Sequence, residues 1–76
     1  MRKHWRLKKP PFAGNNKGNA LYGLKRYDEA LAAYERATAL DSTFALAWWN
    51  KGYPLRALGR EAEAQEAERR AQELGG

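Results

Sequence analysis

Few side chains in this chain could do chemistry, and none of them stands in a catalytic arrangement. His4 is the single histidine of the 76 residues, and there is no cysteine. One histidine without neighbouring cysteine or carboxylate ligands does not hold a metal ion. Gly18 and Gly23 have the spacing of the outer glycines of a phosphate loop, but the lysine and the serine or threonine that must follow are missing. We therefore expect no enzyme activity, no metal site and no cofactor.

Length and composition indicate one small domain. A chain of 76 residues buries only about 60% of the surface that its unfolded form exposes. Without cysteine it needs no oxidising compartment. No apolar run approaches the roughly 20 residues that span a bilayer, and the basic start is not followed by the apolar segment of a signal peptide. We expect a cytoplasmic protein without a membrane partner.

The positive charge of the chain is concentrated at its N-terminus. The net charge is +5, and five basic residues lie within the first nine positions: Arg2, Lys3, Arg6, Lys8 and Lys9. The other nine of the 14 Lys and Arg residues meet nine Asp and Glu residues. The remainder of the chain is therefore neutral.

Residues 1–11 are predicted to form a basic flexible arm. Like charges repel each other, and Pro10 and Pro11 disfavour helix in the residue before each proline. Such an arm could bind phosphates while Trp5 stacks on a base. Nucleic-acid binding through the arm is thus an alternative function, although a solvated tail is the simpler interpretation.

Residues 16–40 repeat themselves 34 positions later in the chain. Identical pairs extend from Asn16 and Asn50 to Leu40 and Leu74. Within each copy, apolar residues recur at helical spacing on both sides of a short polar break. An internal repeat of this period indicates stacked helix–turn–helix units. We expect helices over about residues 12–24, 27–40, 44–58 and 61–74.

The residue pattern of the two copies resembles the tetratricopeptide repeat (TPR) family. In the second copy it is carried by Trp48, Asn50, Gly52, Leu55, Gly59, Ala64 and Ala71. In the first copy it is carried by Asn16, Gly18, Leu21, Tyr27, Ala30, Tyr34 and Ala37. The resemblance implies an all-α fold of two helix–turn–helix repeats stacked as a short α-solenoid, with repeat 1 at about 12–43 and repeat 2 at about 44–76. It also implies a protein–protein interaction scaffold.

The resemblance further implies a binding face. In TPR arrays the first helix of each repeat lines a concave groove that binds a peptide or protein partner. The groove-facing positions correspond to Asn15, Asn19, Tyr22 and Gly23 in repeat 1 and to Leu46, Trp49, Tyr53 and Arg56 in repeat 2. Exposed aromatic residues beside an arginine and amides are typical of peptide-binding surfaces. The alternative is that Trp49 and Tyr53 pack against a neighbouring repeat or a second copy of the chain.

The first helix is predicted to begin poorly. Gly14 stands where the second copy has Trp48, and the TPR pattern has a large aromatic residue there to wedge between the two helices of a repeat. A glycine also costs about 1 kcal/mol of helix propensity. We expect fraying up to Asn15 or Asn16.

The third helix contains a conflict with local rules. Ser42 or Thr43 can cap its start, and Gly59 is placed to end it. Pro54, however, lies inside the helix and has no amide proton to donate. Because the apolar stripe continues in phase across the proline, we expect a kink and not a break.

The last helix is more polar than its counterpart. Gln65 and Glu68 stand where the first copy has leucine and tyrosine, and Glu66 can pair with Arg70 one turn later. Such a helix suits the end of an array. Two repeats are fewer than the three or so that arrays usually need, so a homodimer is expected. The alternative is a fragment or engineered piece of a longer array with self-association as its main property.

Overall fold

The computed structural model describes residues 11–75 and contains four α-helices there. α1 spans Pro11–Gly23, α2 spans Tyr27–Leu40, α3 spans Ala45–Ala57 and α4 spans Glu61–Glu73. α1 packs against α2, α3 packs against α4, and α2 joins the two pairs by packing against α3. This is the all-α architecture of two helix–turn–helix repeats that the sequence predicts. None of the described helices combines the length and the apolar character needed to cross a bilayer.

α1 begins earlier than the sequence predicts. Its first residue is Pro11, whereas the rest of the predicted basic arm lies outside the described residues. Proline suits the first turn of a helix, because its missing N–H would have no partner there. A Cβ built on Gly14 would lie 2.9 Å from the carbonyl oxygen of Ala33, so the glycine lets α1 approach α2 closely. The predicted fraying up to Asn15 or Asn16 is therefore wrong.

Two clusters of buried side chains form the core. The first lies between α1 and α2 and consists of Leu21, Ala30, Ala33 and Tyr34. The second consists of Leu31, Leu55, Ala64 and Ala67. Leu31 belongs to α2, so the second cluster extends from repeat 2 into repeat 1. The small alanines at the helix crossings let the backbones approach and interdigitate.

The turn inside each repeat has the same backbone geometry. In repeat 2 the N–H of Arg60 donates to the carbonyl of Leu55, 2.8 Å away, and the N–H of Gly59 donates to Arg56. Gly59 has φ +78°, so these bonds form a Schellman motif with glycine in the left-handed position. The predicted role of Gly59 as a C-cap residue is confirmed. In repeat 1 the left-handed position is held by Lys25, at φ +63°.

The loop between the repeats is organised by Asp41. Its carboxylate accepts hydrogen bonds from the backbone N–H and the hydroxyl of Thr43, at 3.0 and 2.6 Å. These bonds lower the pKa of Asp41 from its usual value. No side chain caps the start of α3, whose N-cap residue is Phe44. The predicted capping by Ser42 or Thr43 is wrong, because the Thr43 hydroxyl donates to Asp41.

α3 continues through Pro54 without a break. The proline is the fourth residue from the end of the helix, so it removes one hydrogen bond, to the carbonyl of Asn50. Its own carbonyl accepts a 2.9 Å bond from the N–H of Leu58. Its ring is among the largest fully buried side chains. Burial of the ring offsets part of the free energy that the missing bond costs.

Candidate functional site

Three tyrosines meet where α1 and α3 lie side by side. The ring centroids of Tyr22 and Tyr53 are 5.8 Å apart, and those of Tyr22 and Tyr27 are 5.4 Å apart. The ring planes are tilted by 46° and 55° in these two pairs, an arrangement that aromatic side chains favour. Tyr53 is 46% exposed. The tyrosines thus form one aromatic surface that crosses the boundary between the repeats.

A cluster of carboxamides lies at the same boundary between the repeats. The Nδ2 group of Asn50 donates to Oδ1 of Asn15 at 2.9 Å and to Oδ1 of Asn19 at 3.5 Å. Asn15 is only 3% exposed, so it serves as an internal hydrogen-bond partner more than as a contact for a ligand. Asn19 is exposed. Asn50 was not among the predicted site residues, although its repetition of Asn16 in the sequence was a signal.

Tyr34 lies beneath this surface and holds Asn19 in place. Its hydroxyl donates to Oδ1 of Asn19, and its side chain is almost fully buried. Burial, together with the nearby Tyr22 and Tyr53, raises the pKa of Tyr34 to about 12. Tyr34 therefore stays a neutral donor, which fixes the Oδ1 end of the Asn19 side chain.

Arg56 does not stand free on the face. Its Nε donates to Glu61 at 2.9 Å, and its two terminal nitrogens both contact Glu68, one of them at 3.0 Å. These bonds raise the pKa of Arg56 and lower that of Glu68. The positive charge predicted for this position is thus neutralised by two carboxylates of α4.

Glu68 holds the place that Tyr34 holds in repeat 1. A Cβ built on Gly18 would lie 2.5 Å from the Tyr34 ring, and a Cβ built on Gly52 would lie 3.1 Å from the Glu68 carboxylate. Each glycine therefore makes room for the side chain that crosses it. Glu68 uses this position to reach Arg56, so it does more than end the array with a polar surface.

The remaining predicted residues differ in their exposure. Leu46 is 53% exposed, and Gly23 is also exposed at the end of α1. Trp49 is partly exposed. Leu46, Trp49, Tyr53 and Arg56 follow one another at three- or four-residue spacing along α3, which places them on one side of that helix.

Trp48 belongs to the core side of α3. It packs against the second core cluster, and its Nε1 donates to the carbonyl of Ser42 at 2.8 Å. Lys51 Nζ lies 4.9 Å and the Arg70 guanidinium 5.3 Å from its ring centre, both in the range of cation–π attraction.

The predicted pairing of Glu66 with Arg70 is replaced by a pair of Glu66 with Arg69.

Comparison with known protein families agrees with this arrangement. A family model described as TPR repeat matches residues 18–59, which is more than half of the chain. The chain belongs to the TPR repeat family. TPR repeats generally mediate protein–protein interaction, and the family is typically non-catalytic. No curated protein sequence matches the chain. Within residues 11–75, no group of His, Cys, Asp or Glu side chains could hold a metal ion.

Proposed function

We propose that this TPR protein is a scaffold that binds a peptide or partner protein through the face formed by α1 and α3, with no catalytic step. One observation carries the proposal: the contact of Tyr22 with Tyr53 makes a partly exposed aromatic surface continuous across both repeats. Aromatic residues dominate the energy of protein interfaces, because they bury a large area at low entropic cost. The binding residues are then chiefly Asn19, Tyr22, Leu46, Trp49 and Tyr53.

Two of the predicted binding residues have a supporting role in this proposal. Asn15 is buried and accepts from Asn50, so it holds the first repeat's face against the second. Arg56 is held by Glu61 and Glu68, and its alkyl stem is then the part that borders the binding face.

The experiment that tests the proposal is selection of ligands from a random peptide library, followed by comparison of variants. Tyr53→Ala removes an exposed ring and should weaken binding of the selected peptides without lowering helicity. Leu24→Ala is the matched control, because Leu24 is 65% exposed and lies in the turn after α1. The proposal is wrong if neither Tyr53→Ala nor Trp49→Ala changes the affinity of the selected ligands.

We also infer that the chain associates with itself through the side of repeat 1 that faces away from repeat 2. A groove of about 390 Å³ runs along α1 and α2 there. Most of its lining residues are apolar or small, among them Ala13, Gly14, Leu21, Ala32, Ala33 and Leu40. A second copy would cover this surface. Light scattering across a concentration series should show a dimer, whereas a monomer at high micromolar concentration would contradict the inference.

A further inference from the structure

We propose that the α1–α3 face takes an uncharged, proline-rich segment in the polyproline II conformation. This inference rests on the proposed function and names the chemistry of the partner. Three properties of the face carry it: its charge, its hydrogen-bonding groups and the arrangement of its aromatic rings.

The face offers no free charge to a ligand. Of the residues assigned to it, Arg56 alone is charged, and it is paired with Glu61 and Glu68. Lys51, on the neighbouring side of α3, lies over the Trp48 ring and 4.0 Å from Glu35. An acidic peptide would have to separate Arg56 from two carboxylates, and a basic peptide would have to compete with the guanidinium for them. A neutral ligand leaves this ion-pair network intact.

The open hydrogen-bonding groups of the face are tyrosine hydroxyls, each of which can donate one hydrogen bond and can also accept. Oδ1 of Asn19 already accepts from Tyr34 and Asn50, and Oδ1 of Asn15 accepts from Asn50. Within residues 11–75, the hydroxyls of Tyr22, Tyr27 and Tyr53 make no hydrogen bond.

A proline-rich segment complements such a surface. Each proline contributes a carbonyl acceptor and no N–H donor. In the polyproline II conformation these carbonyls make no internal hydrogen bonds, so they remain open to donors from a partner.

The arrangement of the rings suits the same ligand. The ring-to-ring separations of 5.8 and 5.4 Å join the three tyrosines into one continuous surface, and grooves lined by aromatic side chains bind polyproline II segments. The rings are also tilted against one another, so they present faces and edges against which pyrrolidine rings can pack. Because the conformation exists before binding, the ligand loses little entropy.

The test is a titration of the full chain with three labelled peptides of equal length: an oligoproline-type peptide, the same peptide with alanine at each proline, and an acidic peptide. We expect the proline-rich peptide to bind tightest, with an affinity that added salt does not change. Tyr53→Ala should weaken it about tenfold or more. Tyr53→Phe, which keeps the ring and removes the donor, should weaken it about two- to tenfold. Leu24→Ala is the control, and circular dichroism verifies that each variant is folded.

Several results would overturn the inference. Equal binding of the alanine-substituted or acidic peptide would do so, as would an affinity that Tyr53→Phe leaves unchanged. Library selection separates this failure from failure of the proposed function. Ligands that depend on Tyr53 but contain no proline would overturn the proline preference alone. If no selected ligand depends on the α1–α3 face, both proposals are wrong.

Discussion

Gly18 and Gly52 occupy equivalent positions, yet a methyl group would meet different neighbours at each. At Gly18 it would lie 2.5 Å from the ring of Tyr34, which is fully buried and has no room to move. At Gly52 it would meet the flexible Glu68 side chain, whose nearest carboxylate oxygen lies at 3.1 Å, and a shift of a few tenths of an ångström relieves that contact. The repeated glycine is therefore required for packing in repeat 1 and is less constrained in repeat 2.

We predict that Gly18→Ala destabilises the protein whereas Gly52→Ala is nearly neutral. Overpacking at Gly18 costs about 1–3 kcal/mol, and the gain in helix propensity, about 1 kcal/mol, offsets only part of it. The same gain at Gly52 balances the small shift of Glu68. Urea denaturation of the two matched variants measures both free energies of unfolding. Equal losses of stability would show that the Tyr34 ring does not restrict position 18 more than Glu68 restricts position 52.

A second prediction concerns the pH dependence of stability at Glu68. Its hydrogen bonds to Arg56 lower its pKa in the folded state from the ordinary value of 4.5. A depressed folded pKa means that the stabilisation is present above the unfolded pKa and is lost as the pH falls through the folded one. We expect the stability difference between the wild type and Glu68→Gln to be largest near neutral pH and to shrink below about pH 4.5. A difference that stays constant down to pH 2 would count against the ion pair.

At the scale of the elements, the two Schellman turns differ in the residue that occupies the left-handed position. Gly59 adopts φ +78° without steric cost, whereas Lys25 adopts φ +63° with a Cβ. Lys25→Gly should therefore stabilise the protein by about 1 kcal/mol, because the left-handed conformation costs a non-glycine residue about 1–2 kcal/mol. Gly59→Ala should destabilise it by a similar amount. Thermal and urea denaturation of both variants provide the measurement, and a loss of stability in Lys25→Gly would show that the lysine side chain has another role.

Pro54 is the second position at which the local backbone conformation lowers the stability of the fold. Alanine in its place restores a donor for the Asn50 carbonyl and recovers about 3 kcal/mol of helix propensity. It also removes two buried methylene groups, at about 0.8 kcal/mol each. The expected result for Pro54→Ala is a net gain of about 1–1.5 kcal/mol, measured as the midpoint and slope of urea denaturation. A fall in stability would mean that packing around the buried ring requires the proline.

At the scale of the whole molecule, the two repeats differ mainly in their second helices. Residues Gln65 and Glu68 of α4 stand where α2 has Leu31 and Tyr34. We predict that the double variant Gln65→Leu with Glu68→Tyr increases self-association, because α4 then gains an exposed apolar face and Arg56 loses one of its two partners. Mass measured by light scattering should rise at concentrations where the wild type does not change. An unchanged mass would show that the polar face of α4 does not limit assembly.

The sequence predicts the helices well because their signals are local. The apolar spacing and the glycine at position 59 place the ends of α2, α3 and α4 within a residue or so of those observed. The earlier start of α1 is accompanied by the close approach of Gly14 to Ala33. This contact joins two helices, so it cannot be predicted from the local pattern of one of them.

The binding face is harder to predict from the sequence. The spacing of residues 46, 49, 53 and 56 does place them on one side of α3, but their availability depends on neighbours from other helices. Arg56 is neutralised by residues 5 and 12 positions later in the chain. Asn15 is buried and accepts a hydrogen bond from Asn50, which is 35 positions away. Such partners follow from the packing of the helices, and the residue pattern of one helix does not contain them.

The order in which the helices pack has a consequence for how fast the chain folds. α1 packs on α2, α2 on α3 and α3 on α4, so most of the packing joins segments that are neighbours in sequence. Chains with such local contacts close only short loops on the way to the native state, and helical proteins of this kind fold within microseconds to milliseconds. Either repeat can form first and serve as the surface on which the other condenses. Rapid folding leaves the apolar faces of single helices exposed only briefly during synthesis.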